Sequence, residues 1–291
     1  MSPGRLLSRH RADLGAKWLV LVCAALAFLV LLLITILIFR DGFSALLEIG
    51  LGNFLFGTEW IPSAGKYGIS TFILNSVFLT LGTLALAAPL GVGCAIFLAE
   101  VAPYRVRQAV RPATDLLVGI PSVVYGLVGM TLLCPLIADL SGGGSGHCLL
   151  AAIIVVTIMV LPTVVSISED SLRAVPREYK EGALALGATH WQVIRKVMLP
   201  AARPGIVSAL ILGMGRAIGE ALAAYMVIGN AFAMIHSPLD PARTLTSHIV
   251  GEIPEIAVGS LQFRALFATG IVLLVIILAF NSIGFITRRR S

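Results

Sequence analysis

The sequence predicts an all-α polytopic membrane protein with six transmembrane helices and both termini in the cytoplasm. Three observations carry that prediction. Apolar residues make up 58% of the 291-residue chain and charged residues only 12%, against about a quarter charged in soluble domains; the mean hydropathy is +0.97. The apolar runs are long and continuous, which suits helical spans of about 20 residues and not barrel strands that alternate over about 10. The 21 basic residues are also sorted along the chain. Arg5, Arg9, Arg11 and Lys17 precede the first run, Arg105, Arg107 and Arg111 follow the second, a group from Arg173 to Arg203 follows the fourth, and Arg288 to Arg290 end the chain. The alternate loops hold only Arg40, Lys66, Arg243 and Arg264. This is the positive-inside pattern, and it accounts for the net charge of +6 without a nucleic-acid partner.

Taken in order, residues 1–17 form a cytoplasmic tail and 18–39 the first span. That run exceeds the apolar core of about 7–15 residues in a signal peptide, and no small-x-small cleavage site follows it. Residues 40–67, with Asp41, Glu48 and Glu59, are too polar for lipid and form an outer loop or surface helix. Residues 68–286 form a five-helix core. Span 2 (68–99) holds Pro89 and Gly91-Val92-Gly93, which invite a kink or a close helix contact. Span 3 (112–138) contains Ile120-Pro121-Ser122, where proline frees a carbonyl, so a helix break packed against protein is expected with Ser122 and Tyr125 beside it. The glycine-rich turn 141–147 lacks the Gly-Lys-Ser/Thr of a phosphate-binding loop, and no other segment supplies one. Span 4 (149–167), a cytoplasmic loop (169–200), span 5 (205–229), an outer loop (230–263) and span 6 (266–286) follow, with a basic tail at 287–291. No internal repeat and no soluble domain stand out.

Cofactors and metals are not expected. Cys23, Cys94, Cys134 and Cys148 lack metal-site spacing, and His190, His236 and His248 share no tight spacing with Cys or carboxylates. Cys134 and Cys148 flank an outer loop and are either small apolar residues or an oxidised pair. Tyr67, Tyr104 and Trp191 fall near span ends, where aromatic anchoring is the default.

The loop from Glu169 to Pro200 is the longest polar interval between apolar blocks. Pro176 suits the start of a short helix, where a missing N–H loses no bond. Tyr179, Ala183 and Leu186 at i, i+4 and i+7 give that helix one apolar edge. Gly187 ends it in a left-handed conformation, and a second helix from Trp191 to Met198 runs to Leu199-Pro200, where proline re-aims the chain. The expected product is an elbowed knob.

Arg216 and Glu220 in span 5 stand four apart, hence on one helix face. Charge at membrane depth is costly and usually faces a bundle interior or an aqueous route. Two readings stand: a substrate route, in which the planar donors of Arg216 suit an oxyanion, or a mutually satisfied ion pair stapling helices. Gly215 and Gly219 form a small-residue edge beside them that lets another helix approach.

The knob register, Glu181-Gly182-Ala183, three residues, Gly187, nine residues, Val197, one residue and Leu199-Pro200, resembles the signature loop of the permease subunits of binding-protein-dependent ATP-binding-cassette importers. That pattern begins Glu-Ala-Ala, so Gly182 is a small-for-small departure. Three further stretches, Phe97 to Pro103, Ile120 to Gly126, and Gly215 to Glu220 running on to Asn230, resemble the PstC-type permease of phosphate importers. The resemblance implies a type I (MetI-like) permease fold in the bacterial cytoplasmic membrane. It also implies a second, PstA-type permease, an ATPase subunit dimer, an extracytoplasmic phosphate-binding protein, and phosphate as substrate. The roles it implies are coupling for Glu181, Gly182, Ala183, Gly187, Leu199 and Pro200, and the substrate route for Arg216 and Glu220. Molybdate or sulfate is the alternative cargo. An ion-driven secondary transporter acting alone would show inverted half-symmetry, which the chain lacks.

Overall fold

The structure is a computed structural model that describes residues 3–290; the side chains of residues 3–16, 115 and 283–290, among them Arg5, Arg9, Arg11 and Arg288 to Arg290, lie outside the described ones. Among the described residues, six helices are long and apolar enough to cross a membrane. In chain order the elements are α1 (Pro3–Ile49), α2 (Leu51–Phe56), a small hairpin of β1 (Trp60–Ile61) and β2 (Lys66–Tyr67), α3 (Ser70–Ile96) and α4 (Tyr104–Gly119). They continue with α5 (Ser122–Val128), α6 (Cys134–Leu140), α7 (Leu149–Arg173), α8 (Arg177–Ala185), α9 (His190–Val193), α10 (Leu199–Gly219), α11 (Leu222–Val227), α12 (Leu245–Glu252) and α13 (Leu261–Arg290).

The boundaries differ from those drawn by hydropathy. The first helix does not stop at residue 39 but runs to Ile49, because nothing at Arg40 or Asp41 breaks a helix, whereas Gly50 at φ 87 does. Its charged stretch is held by neighbours instead. Glu48 pairs with Arg264 at 2.8 Å, and Gly42 lets the α13 backbone approach so closely that a Cβ there would lie 2.8 Å from the Ala268 nitrogen. Residues 112–119, expected in span 3, belong to the separate helix α4, which ends where Ile120 turns extended (ψ 128) ahead of Pro121. The break is thus present, yet Pro121 is exposed on this chain and not packed against it.

Three turns of π-helix, at Phe97–Val101, Gly129–Leu133 and Ile194–Met198, extend or join helices. The last removes the expected stop at Pro200. Its wider turn lets the chain pass from α9 into α10 with Pro200 in the first turn of α10, so His190–Gly219 is one continuous 30-residue helix.

α7 is the hub. Its buried face packs on α3 and α10, and glycines set the spacing: a Cβ on Gly91 would meet Val164 Cγ1 at 2.7 Å, and one on Gly213 would meet Val160 Cγ1 at 2.9 Å. Gly215 and Gly219, the expected small-residue edge, stand in open space or at van der Waals range; the helix contact uses Gly213. At the end of the bundle remote from α8, the first amides of α7 donate to outer-segment carbonyls, Leu149 N–H to Asp240 at 3.0 Å and Leu150 N–H to Pro238 at 2.8 Å. Cys134 and Cys148 are buried free thiols, and Cys134 Sγ lies 3.8 Å from His147 Nδ1.

Gly91→Leu is expected to destabilise the bundle by about 1–3 kcal/mol through overpacking and to lower its unfolding midpoint in detergent, whereas Gly93→Leu, which faces open space, leaves it unchanged. Equal midpoints for the two variants would contradict the close α3–α7 contact.

Candidate functional site

The expected elbow is built by a complete Schellman closure. Gly187 has φ 84, its N–H donates to the Leu184 carbonyl at 2.9 Å, and the Ala188 N–H donates to the Ala183 carbonyl at 3.1 Å. Thr189 then opens α9 with a capping box, its hydroxyl accepting from Gln192 N–H while its own N–H donates to Gln192 Oε1 at 2.8 Å. The expected apolar edge splits, because the elbow turns only part of it inward. Ala183 packs with Ala188, Val193 and Leu199 over Leu172, while Tyr179 (57% exposed), Trp191 (61%) and Leu186 (91%) face outward. Glu181, Gly182 and Pro200 are exposed too. A Cβ on Gly182 would meet nothing within 4 Å, so the departure from Ala is sterically free.

The knob is tied to the bundle by a carboxylate that sequence reasoning left as a loop charge. Glu100, on the π-turn that ends α3, is 8% exposed and receives Lys180 Nζ at 2.5 Å, with His190 Nε2 at 3.7 Å. Arg107 donates to the Leu98 and Ala99 carbonyls at 2.8 and 3.1 Å, closing the end of the same helix. Arg173 pairs with the buried Glu169. A cleft of about 480 Å³ lies between knob and bundle, lined by Glu100, Arg107, Arg177 and Lys180 among others.

Arg216 and Glu220 do not form the ion pair that one of the two readings required. The helix ends at Gly219 because Glu220 is extended (ψ 124), so the four-residue spacing no longer stacks the two side chains. Glu220 Oε1 instead accepts the Ala223 N–H at 3.2 Å at the start of α11. Arg216, half-buried, has no carboxylate within 4.0 Å among the described residues. Tyr125 lies on α5, which packs against α11. Its hydroxyl donates to the Leu117 carbonyl at 2.9 Å across the Pro121 break, and Ser122 is half-buried next to it. α5 and α11 touch through Gly126, where a Cβ would lie 3.1 Å from Ala223 Cα. Two helix interruptions, at Pro121 and after Gly219, therefore sit side by side, with Arg216 half-buried in the turn before the second.

The model of the family described as "Binding-protein-dependent transport system inner membrane component" matches residues 91–291. The chain belongs to this family. Among its relatives, the probable ABC transporter permease protein YqgH of Bacillus subtilis is 43% identical over 92% of this chain and 88% of its own length. The phosphate transport system permease protein PstC of Mesorhizobium japonicum is 36% identical over 87% and 83%. Among solved structures, a permease of the inward-facing MetNI methionine ABC transporter superposes with TM-score 0.60 at 20% identity, covering 76% of this chain and 95% of that one. A chain of a bacterial alginate ABC transporter does so with TM-score 0.58 at 17% identity, covering 97% and 99%. The fold is accordingly that of importer permeases.

At the end of this permease remote from the knob, α12 closes over the bundle with a buried polar cluster that sequence reasoning missed. Arg243, only 5% exposed, pairs with Glu252 at 3.0 Å and stacks over Phe232 at 4.1 Å. Gln262 donates to the other Glu252 oxygen at 2.9 Å. His248, fully buried, stacks on Phe72 at 4.4 Å and stands edge-on to Trp60 at 4.3 Å. Asn75 donates to the Arg243 and Ala233 carbonyls, and Thr246 donates to the Glu220 carbonyl at 2.8 Å, joining the cluster to the helix break below. The readable signal was the polar stripe Thr71, Asn75, Ser76, Thr80 and Thr83 on one face of α3, all buried. Nothing in local spacing linked Arg243 to Glu252.

Burial, and then the neighbouring Arg243 charge, lower the His248 pKa to about 3. The unfolded chain therefore binds the extra proton between about 6.5 and 3, so this contribution to stability is complete above pH 6.5 and is lost as pH falls toward 3. The unfolding midpoint of the purified permease is expected to drop between about pH 7 and 4, and to drop less steeply in His248→Phe. Identical slopes would contradict a buried neutral ring.

Proposed function

We propose that this permease carries inorganic phosphate inward across the bacterial cytoplasmic membrane, as the PstC-type subunit of an ATP-binding-cassette importer. Its partners are a PstA-type permease, a separate ATPase dimer and an extracytoplasmic phosphate-binding protein. Both termini and the knob face the cytoplasm, in keeping with the basic residues gathered on that side. ATP binding closes the ATPase dimer and draws the knobs together. The route then opens outward, receives phosphate, and reopens inward after hydrolysis. The chain performs no covalent chemistry.

The observation that carries this reading is the half-buried Arg216, without a carboxylate partner among the described residues, at the far end of the helix that starts in the knob. An anion near it gains a charge-assisted, bidentate partner that no carboxylate contests. The exposed Tyr179, Leu186 and Trp191 supply the apolar contact for the ATPase, with Glu181 beside them. The PstC names among the relatives favour phosphate over molybdate or sulfate.

In proteoliposomes with the partner subunits, Gly187→Val is expected to cut ATP-driven phosphate uptake by about tenfold or more, since a β-branched residue at that φ costs about 1–2 kcal/mol or beyond. Undiminished uptake would remove the coupling role. Arg216→Gln should abolish uptake while Arg216→Lys keeps part of it; a full rate in the Gln variant would place the route elsewhere.

A further inference from the structure

The α12 cluster contains an unusual density of buried polar atoms without partners. Among the described residues, Trp60 Nε1, Asn75 Oδ1, Arg243 Nε and both ring nitrogens of His248 have no hydrogen-bond partner within the chain. All four residues are at most 6% exposed. They belong to one contiguous patch. The His248 ring touches Trp60 and Phe72, the Phe232 ring lies 6.2 Å from His248 and carries Arg243 above it, and Asn75 holds the Arg243 backbone. Folded proteins leave few such atoms unpaired, and a group of them together marks a place where something else supplies the bonds.

The chemistry of the set is selective. Trp60 Nε1 and Arg243 Nε are donors only, Asn75 Oδ1 is an acceptor only, and a neutral imidazole offers one of each. Glu252 neutralises Arg243 on its outer side, where it is 17% exposed and also takes Gln262. A carboxylate there stands in for an anion.

We propose that this patch is an oxyanion-receiving station at the outer mouth, closed in this conformation, which takes a hydrogen-bearing oxyanion such as hydrogen phosphate when α12 swings away and Glu252 releases Arg243. The inference rests on the import reading above and deepens it. The donors bind the charged oxygens, and the Asn75 oxygen with the acceptor nitrogen of His248 receives the proton of the P–OH. Sulfate, with no such proton, leaves two buried acceptors unpaired and is rejected. The Thr246 bond to the Glu220 carbonyl places the station directly above the break that holds Arg216, so an anion leaving it moves toward the second guanidinium.

The test is equilibrium binding of radiolabelled inorganic phosphate to the complete transporter in nanodiscs, without the receptor and held with a non-hydrolysable ATP analogue. The wild-type complex is expected to retain phosphate, with sulfate failing to compete at equal concentration. Trp60→Phe, which deletes one N–H and keeps the ring, should weaken binding about tenfold, and Arg243→Gln should remove it. Trp18→Phe, at the exposed start of the first span, should change nothing. Binding by Trp60→Phe within twofold of wild type, or equal competition by sulfate, would overturn the station; if Arg243→Gln fails to assemble, Trp60→Phe decides. Phosphate uptake that persists in both variants would sink the station and leave the import reading standing, whereas a wild-type complex that imports no phosphate would sink that reading.

Discussion

The continuity of the helix from His190 to Gly219 is the constraint on which the rest depends. Its 30 residues span about 45 Å, starting inside the knob and ending at the break that holds Arg216. The helix stays continuous through the π-turn and the interior Pro204, so a push at its start can be carried along its axis, provided that the start is fixed. The buried Glu100, gripped by Lys180 and flanked by His190, supplies that fixing by tying α8 and the start of the rod to the end of α3. The wide turn at Ile194–Met198 lets Pro200 be absorbed instead of dividing the rod. On the proposed mechanism, movement of the knob and displacement of Arg216 are one event.

The opposite end has a different design. There the packing is aromatic and polar, with Trp60, Phe72, Phe232 and His248 around the Arg243–Glu252 pair. Each unpaired buried polar atom in that cluster costs about 1–3 kcal/mol, so this end is held less firmly than its burial suggests. The hub around α7 is close-packed by comparison, with Gly82, Gly91 and Gly213 spacing its neighbours. A firm middle, a firm rod and a loosely satisfied cap suit the alternating access proposed above.

Much of this was legible in the residues. The hydropathy runs gave the helix count, and Gly187 gave the elbow, because a left-handed glycine that ends a helix is a local rule. Pro121 gave a break for the same reason. What failed was non-local or cooperative. Pro200 reads as a stop only if the helix is α throughout, and Arg216 pairs with Glu220 only if the helix continues past Gly219. Arg40 and Asp41 resemble a span end unless Arg264, more than 200 residues later, is known to lie against Glu48. The Arg243 cluster joins residues from α3, the hairpin and α12, and no spacing within one segment announces it.

The central claim is that the rod carries force from the knob to Arg216. It is tested most directly by softening the rod and counting phosphate transported per ATP hydrolysed in reconstituted complexes. With Val207 and Ser208 both replaced by glycine, each expected to cost about 0.5–1 kcal/mol of local helix stability and so to loosen the rod, the account predicts that ATP hydrolysis continues while transport per ATP falls several-fold. A wild-type ratio in that double variant would contradict it.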